Sequence, residues 1–267
     1  MNVTIGQYYP INSFVHRLDA RTKIIATMLY IIGLFVANDV LSYVIASLLL
    51  AISIYLCKVP VKLMLSGLKG IITIIIFTVV LNLMFTRQGS VVFAIGFIKI
   101  TDSGIILSLK MAVRLIMLII ASSVMTLTTS PIELTVGMEY LLKPFKKIGV
   151  PSHEIAMMMS IALRFIPTLM EELDKIKKAQ MARGAEFDNG KLMERAKSLL
   201  PLLVPLFVSA FRRADELAMA MEARCYRGDI NRTRMNEPVF QLWDYVSTAI
   251  FLAFVALMIV LRIVWRL

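Results

Sequence analysis

Two stretches of this chain repeat one arrangement of chemistry-bearing residues. In Asp174-Lys-Ile-Lys-Lys-Ala179-Gln-Met-Ala182-Arg183 and in Asp215-Glu-Leu-Ala-Met-Ala220-Met-Glu-Ala223-Arg224, an Asp stands nine residues before an Arg, one Ala four before it and another directly before it. Each copy runs into a glycine, Gly184 directly and Gly228 a few residues on, as expected where a helix stops. A guanidinium is a rigid fork of donors suited to a groove on another protein, so two of them at two helix ends point to docking rather than to catalysis. Residues that could do catalysis fall short of a site. His153-Glu154-Ile155-Ala156-Met157 lacks the second His of a helical zinc motif, and His16 is remote in sequence. No Gly-x-x-x-x-Gly-Lys-Ser/Thr phosphate loop occurs, so any ATP must be handled by another chain. Cys57 and Cys225 are too few for a disulfide framework and are read as reduced.

The elements that position these residues belong to a membrane protein. With 267 residues, 58% of them hydrophobic and only 18% charged, the chain is too apolar for an ordinary globular domain. A net charge of +11 could indicate nucleic acid, but basic residues flanking apolar spans are also what cytoplasmic retention produces, and a lipid bilayer with no nucleic acid is the preferred partner. The first apolar run follows a polar segment containing Asp19, which argues against a cleavable signal peptide.

Four or five spans are expected: Ile24 to Ala37, somewhat short and turned at Asn38-Asp39 into Val40 to Cys57, then Gly70 to Phe85 after a basic loop with Lys58, Lys62 and Lys69, Gly104 to Leu127, and Phe240 or Leu242 to Val264. Arg17, Arg21, Lys23 and that loop then share one side with the basic segment Ser130 to Arg234, a side made cytoplasmic by the positive-inside rule; the C-terminus with Arg266 is placed outside, although Arg262 and Arg266 pull the other way. Lys110 and Arg114 fall four residues apart inside the fourth run, on one helix face. Either they make a polar contact that orients the helix, or the span begins later and both snorkel to the interface, the simpler reading.

Between Ser130 and Arg234 the pattern changes. Ser130-Pro131-Ile132-Glu133 has the features of a helix start, and a first helix is expected to run to about Ile148. Gly149-Val150-Pro151-Ser152 breaks it, a second runs from His153 to Arg183, and after a turn at Asp188-Asn189-Gly190 a third runs from Lys191 to about Arg224, with Pro167, Pro201 and Pro205 expected to kink or locally break them. Both long helices start apolar, at Ile155 to Leu169 and Leu199 to Phe211, and end charged or mixed. Met157, Met158 and Met159 read either as gap-filling core or as a pliable surface for different partners. Arg227, Arg232 and Arg234 form a solvated or headgroup-facing cluster. The expected class is an all-α membrane protein with about five transmembrane helices and two or three long coupling helices. Its parts are a membrane domain of about four spans (1–129), a cytoplasmic coupling region (130–236) and a final transmembrane helix (237–267).

The chain resembles the transmembrane T component of energy-coupling factor transporters, the family that includes the cobalt-transport CbiQ proteins. His16-Arg17-Leu18-Asp19-Ala20-Arg21-Thr22-Lys23 is similar to the family's His-Arg-Leu-Asp-Pro-Arg-Thr-Lys opening, Ala182-Arg183-Gly184 to its first Ala-Arg-Gly motif, and Ala223-Arg224-Cys225 stands where the second is expected. Ala20 replaces the family's Pro. Cys225 replaces its Gly, and because a left-handed stop strains a Cys, the third helix is expected to continue toward Gly228. The resemblance implies a non-catalytic, multi-pass subunit of a bacterial or archaeal cell membrane. It binds no cofactor itself; two ABC-type ATPase subunits hold ATP and Mg, and a membrane-embedded S component captures the substrate. It further implies that Arg183 and Arg224, with Ala182, Gly184 and Ala223, dock the ATPases, that Met157, Met158 and Met159 face the S component, and that the S component sets the cargo, a vitamin or similar micronutrient or else a transition-metal ion, with vitamins favoured. The alternative is a stand-alone channel or secondary transporter, for which paired repeats with broken spans and buried carboxylates would be expected.

Overall fold

Within hydrocarbon every backbone N–H and C=O needs an internal partner, and a helix supplies them from its own segment. The long apolar runs of this chain accordingly form helices. The computed structural model describes residues 8–86, 90–95, 98–185, 192–228 and 239–264; the expected turn at Asp188-Asn189-Gly190 and Arg232, Arg234 and Arg266 lie outside the described residues. The elements are α1 (Phe14–Arg17), α2 (Ala20–Val36), α3 (Val40–Cys57), α4 (Val61–Lys69), α5 (Ile72–Phe85), an antiparallel hairpin β1 (Val91–Ile95) and β2 (Ile98–Thr101), α6 (Asp102–Thr128), α7 (Pro131–Leu142), a 3-10 segment Lys143–Ile148, α8 (Ser152–Ala182), α9 (Leu192–Ala223) and α10 (Leu242–Val264).

Helices α3, α6 and α10 are each long and apolar enough to cross a membrane, and α4 with α5, bent by 60° at their junction, together make a fourth candidate. Helix α2, at 17 residues, reaches only about 25 Å, short of a typical hydrocarbon core of about 30 Å. Two expectations are corrected, and the all-α class is kept with one small addition. The basic loop before the third span is mostly helix α4, where Met64 is buried and Lys62 and Lys69 stay exposed. The all-α class acquires one small sheet, in which Ile95 pairs with Ile98 and Phe93 with Ile100, in a stretch rich in β-branched residues. The helix from Pro131 ends at Leu142, and its expected remainder to Ile148 is 3-10. Its start is as expected, since the Ser130 hydroxyl accepts from Glu133 N–H while the Glu133 carboxylate accepts from Ser130 N–H, both at 3.2 Å.

The chain divides into two compact units: one reaches to Gly137 and includes α10, and the other begins at Met138 and holds α8 and α9. In the first, Tyr30, Leu34, Ala46, Leu50, Met117, Ala121, Phe254 and Met258 form the main core. Close approach of α2 and α10 depends on Gly33, where an added Cβ would lie 2.4 Å from the Phe254 ring, itself stacked on Tyr30 at 5.6 Å. Small residues at such a crossing let backbones approach in a membrane.

Polar contacts organise both ends of this unit. At one end Lys110 Nζ donates to Asn38 O and Arg114 Nη2 to Ala37 O, each at 2.8 Å, with the Arg114 guanidinium flanked by the Phe35 and Tyr43 rings. The two basic residues thus satisfy the last carbonyls of the α2 end and orient α6, rather than merely snorkelling. At the other end Lys23, 5% exposed, donates to His16 O at 3.1 Å and Thr128 O at 2.9 Å. Asp19 caps α2 through Arg21 N–H, and its own N–H donates to the buried Asp244, which also accepts from Gln241 N–H at the start of α10. Ala20, where the family has Pro, is the first residue of α2, a position either residue fills well. His16 sits between the Ser13 hydroxyl (2.7 Å) and Tyr9 O (3.0 Å), a pairing that suits a neutral ring with Nε2–H donating to Tyr9.

Two outcomes follow from this packing. Gly33→Val forces the Phe254 ring aside and is expected to cost about 1–3 kcal/mol as overpacking; a thermal unfolding series in detergent should show Phe254→Leu recovering part of the loss. Burial, against the help of the Tyr9 carbonyl, holds the His16 imidazole below its ordinary pKa of 6.5. The unfolded chain therefore takes up this proton first, and stability present above about pH 6.5 falls as the medium is acidified through the native pKa. Melting of wild type and His16→Gln between about pH 7.5 and 5.5 is expected to show the steeper decline in wild type.

Candidate protein-docking site

Helices α8 and α9 are the two longest elements, and both run through their internal prolines, Pro167 in α8 and Pro201 and Pro205 in α9. They pack on each other, with polar contacts that include Arg213 Nη2 donating to Glu172 Oε2 at 3.1 Å. The Ser209 hydroxyl, first, and Arg213 hold the Glu172 carboxyl below its usual range. Both ionic side chains are partly exposed, 37% for Arg213 and 24% for Glu172, so the pair sets register more than it adds stability. Glu172 and Arg213 each lie eleven residues before a motif arginine. That spacing leaves two arms of equal length, about 16 Å from contact to tip at the helical rise.

The tips share one geometry. In α8, Ala182 is the last helical residue, Arg183 the cap and Gly184 the left-handed residue at φ +87°; Ala185 N–H returns to Gln180 O and Gly184 N–H to Met181 O, both at 3.0 Å. In α9, Ala223 is last, Arg224 follows, and Cys225 is left-handed at φ +55°; Tyr226 N–H returns to Met221 O at 3.1 Å and Cys225 N–H to Glu222 O at 2.8 Å. Both are Schellman stops. The expectation that α9 would continue toward Gly228 is therefore overturned. The pair of returning hydrogen bonds closes the helix at Ala223, and Cys225 accepts a left-handed backbone that costs an L-residue roughly 1–2 kcal/mol.

Ala182, Arg183, Gly184, Ala223 and Arg224 are all exposed, and neither guanidinium is hydrogen-bonded or ion-paired to any described residue. Each cation lies at its helix C-terminus, where the dipole favours it. At the other end of α8, Met157 is half-buried while Met158 and Met159 are 57% and 38% exposed. About 36 Å of continuous helix separates Met158 from Ala182, so the structure does not bring the methionines and the arginine together. The apolar start of α9 is uncovered too, at Leu200, Val204, Phe207 and Phe211 among others. His153 is a brace, its Nδ1 2.9 Å from Glu139 Oε1 of α7. Arg227 is exposed, as expected for a solvated cation.

Sequence reasoning missed Glu172, Ser209 and Arg213. Their signal was present in the equal offsets of Glu172 and Arg213 from the two arginines, which extends the doubled pattern by one more position. The strained stop is directly testable. Cys225→Gly is expected to stabilise the last turn of α9 by about 1 kcal/mol, and Gly184→Ala to loosen that of α8 by a similar amount; amide hydrogen exchange over 219–223 and 178–182 should slow in the first variant and quicken in the second.

Residues 11–235 match the CbiQ family, described as cobalt transport protein. Over 261 residues the chain is 53% identical to the energy-coupling factor transporter transmembrane protein EcfT of Acidaminococcus fermentans, covering 98% of this chain and 97% of that one. The proteins of the same name from Clostridium kluyveri and Bacillus subtilis are 52% and 47% identical, covering 99% and 96% of this chain and 98% and 96% of theirs. With its candidate membrane helices and doubled Ala-Arg helix ends, the chain belongs to the CbiQ family, among the transmembrane components of energy-coupling factor transporters.

Proposed function

We propose that this chain is the non-hydrolysing link of an importer, joining two partner ATP-binding cassette subunits to a membrane-embedded S component that captures the substrate. The observation that carries this reading is the identical stop at both arm tips, which presents Arg183 and Arg224 in the same way on helices of matched length. Two equal tips suit two similar soluble partners. Ala182 and Ala223 leave room beside each guanidinium, and the left-handed residue turns the chain away from it. ATP and Mg belong to the partners. One continuous α8 carries exposed methionines at its start and Arg183 at its end, so a displacement at the ATPase end reaches the surface offered to the S component without an intervening hinge. Met157, Met158 and Met159 are assigned to that surface.

The membrane frame consists of α2, α3, the bent pair α4 and α5, α6 and α10, five spans in all, with α2 reaching the hydrocarbon edge through its basic start. The tips lie in the cytoplasm by the distribution of Lys and Arg. The similarity of Ala220 to Gly228 to the family type that serves several S components favours vitamins as cargo.

The reading is tested on the assembled complex. Arg183→Ala or Arg224→Ala is expected to weaken retention of the ATPase subunits by about 2–4 kcal/mol each, as for buried charged anchors, with Lys restoring charge but not the fork and so rescuing only part. Met158→Glu, far along the helix, is expected to impair S-component association and uptake while the ATPases stay bound. Full assembly and transport in the double alanine variant would falsify the docking role.

A further inference from the structure

A cavity of about 270 Å³ lies within the first unit, lined by residues of α1, α2, α3, α6 and α10. Its wall is mostly apolar, and most of the polar groups that line it are satisfied within the protein, Lys23 by His16 O and Thr128 O and the Tyr30 hydroxyl by donating to Ala46 O of α3. Thr27 donates to Lys23 O, Ser53 to Leu49 O and Thr128 to Val124 O, at 2.8, 2.9 and 2.8 Å. Thr22 stands apart as a buried case: it lines the cavity, is 1% exposed, and its Oγ1 has no hydrogen-bond partner among the described residues.

A buried hydroxyl without a partner is costly and calls for an acceptor. Water is a poor candidate, because an ordered water needs two to four polar partners and an apolar cavity stays dry. The rim indicates what enters instead. Ile52 and Leu56 of α3 and Ile250 of α10 are 47%, 38% and 49% exposed, and both helices are long and apolar enough to cross a membrane, so the mouth opens onto hydrocarbon. Along α2 the lining runs from Thr22 to Tyr30, about 12 Å of depth at the helical rise. Thr22 stands at the end where Arg17, Arg21 and Lys23 gather, the level expected of the interface.

We propose that this cavity holds one acyl chain of a membrane phospholipid, whose ester carbonyl accepts a hydrogen bond from the Thr22 hydroxyl while the chain extends toward Tyr30. The lipid is then a structural ligand that fills the space between α2, α3 and α10, and it is recognised by its chain and carbonyl rather than by its head group.

The test uses the full chain in detergent, titrated with dioleoyl phosphatidylglycerol or dioleoyl phosphatidylcholine and read by native mass spectrometry. Wild type is expected to retain one lipid of either head group. Ala26→Phe, which fills the cavity, is expected to weaken retention at least tenfold. Thr22→Val keeps shape and removes the donor; it is expected to weaken retention about fivefold, one net hydrogen bond, while raising the melting temperature of the lipid-free protein. Thr22→Val also keeps the proposal open to refutation if Ala26→Phe does not fold. Absence of a retained lipid in wild type, or retention unchanged in Thr22→Val and in any folded Ala26→Phe, overturns the proposal and marks any bound lipid as annular.

Discussion

An ammonium group removed from water must find oxygen partners, and the solution that Lys23 adopts shapes the membrane unit. Its two acceptors, His16 O and Thr128 O, belong to α1 and to the end of α6, so one side chain ties three elements at a single level. The buried Asp244 adds the start of α10 by accepting from Asp19 N–H, and Asp19 caps α2. The string from His16 to Lys23 is therefore a joint held through three positions, His16, Asp19 and Lys23, each making more than one contact. From this joint the chain passes through the Ser130 and Glu133 caps into α7, where Gly137 lies so close to α2 that an added Cβ would stand 3.1 Å from that of Ala20. Removing one partner of a buried charge leaves the other uncompensated, which makes this end of the unit intolerant of partial change.

In the second unit regularity comes from backbone geometry. Two sequences that share little beyond Asp, two Ala and Arg at fixed spacing close with the same pair of returning hydrogen bonds. One uses Gly184 and the other Cys225 in the left-handed position. That a cysteine takes this conformation shows the stop to be set by the closing hydrogen bonds around Ala223 rather than by residue preference. The Glu172 to Arg213 contact, at the same distance from both tips, fixes how the arms register on each other.

Much of this was readable in the residues where local signals are strong. Helix α3 runs from Val40 to Cys57 as expected, because Asn38-Asp39 and Pro60 bracket an unbroken apolar run. The arms were visible from Pro151 and from the doubled Arg motif. Helix α4 was hidden because nine residues with three exposed polar side chains resemble a basic loop until Met64 has something to pack on. The hairpin was hidden because its strands are short and, among the described residues, pair only with each other. The Cys225 stop ran against intrinsic preference, and Thr22, Lys23 and Asp244 take their meaning from residues distant in sequence. Tertiary context decided each of those cases.

The central claim, that the two arm tips are where soluble partners seat, is tested most directly by placing a photo-reactive amino acid at position 183 or 224 of the full chain in its native membrane. Cross-linked products are then identified by mass spectrometry, with position 158 as the reference. The account predicts that 183 and 224 each capture an ATP-binding subunit while 158 captures a different, membrane-embedded protein. Capture only of lipid or of a membrane protein from 183 and 224 would contradict it.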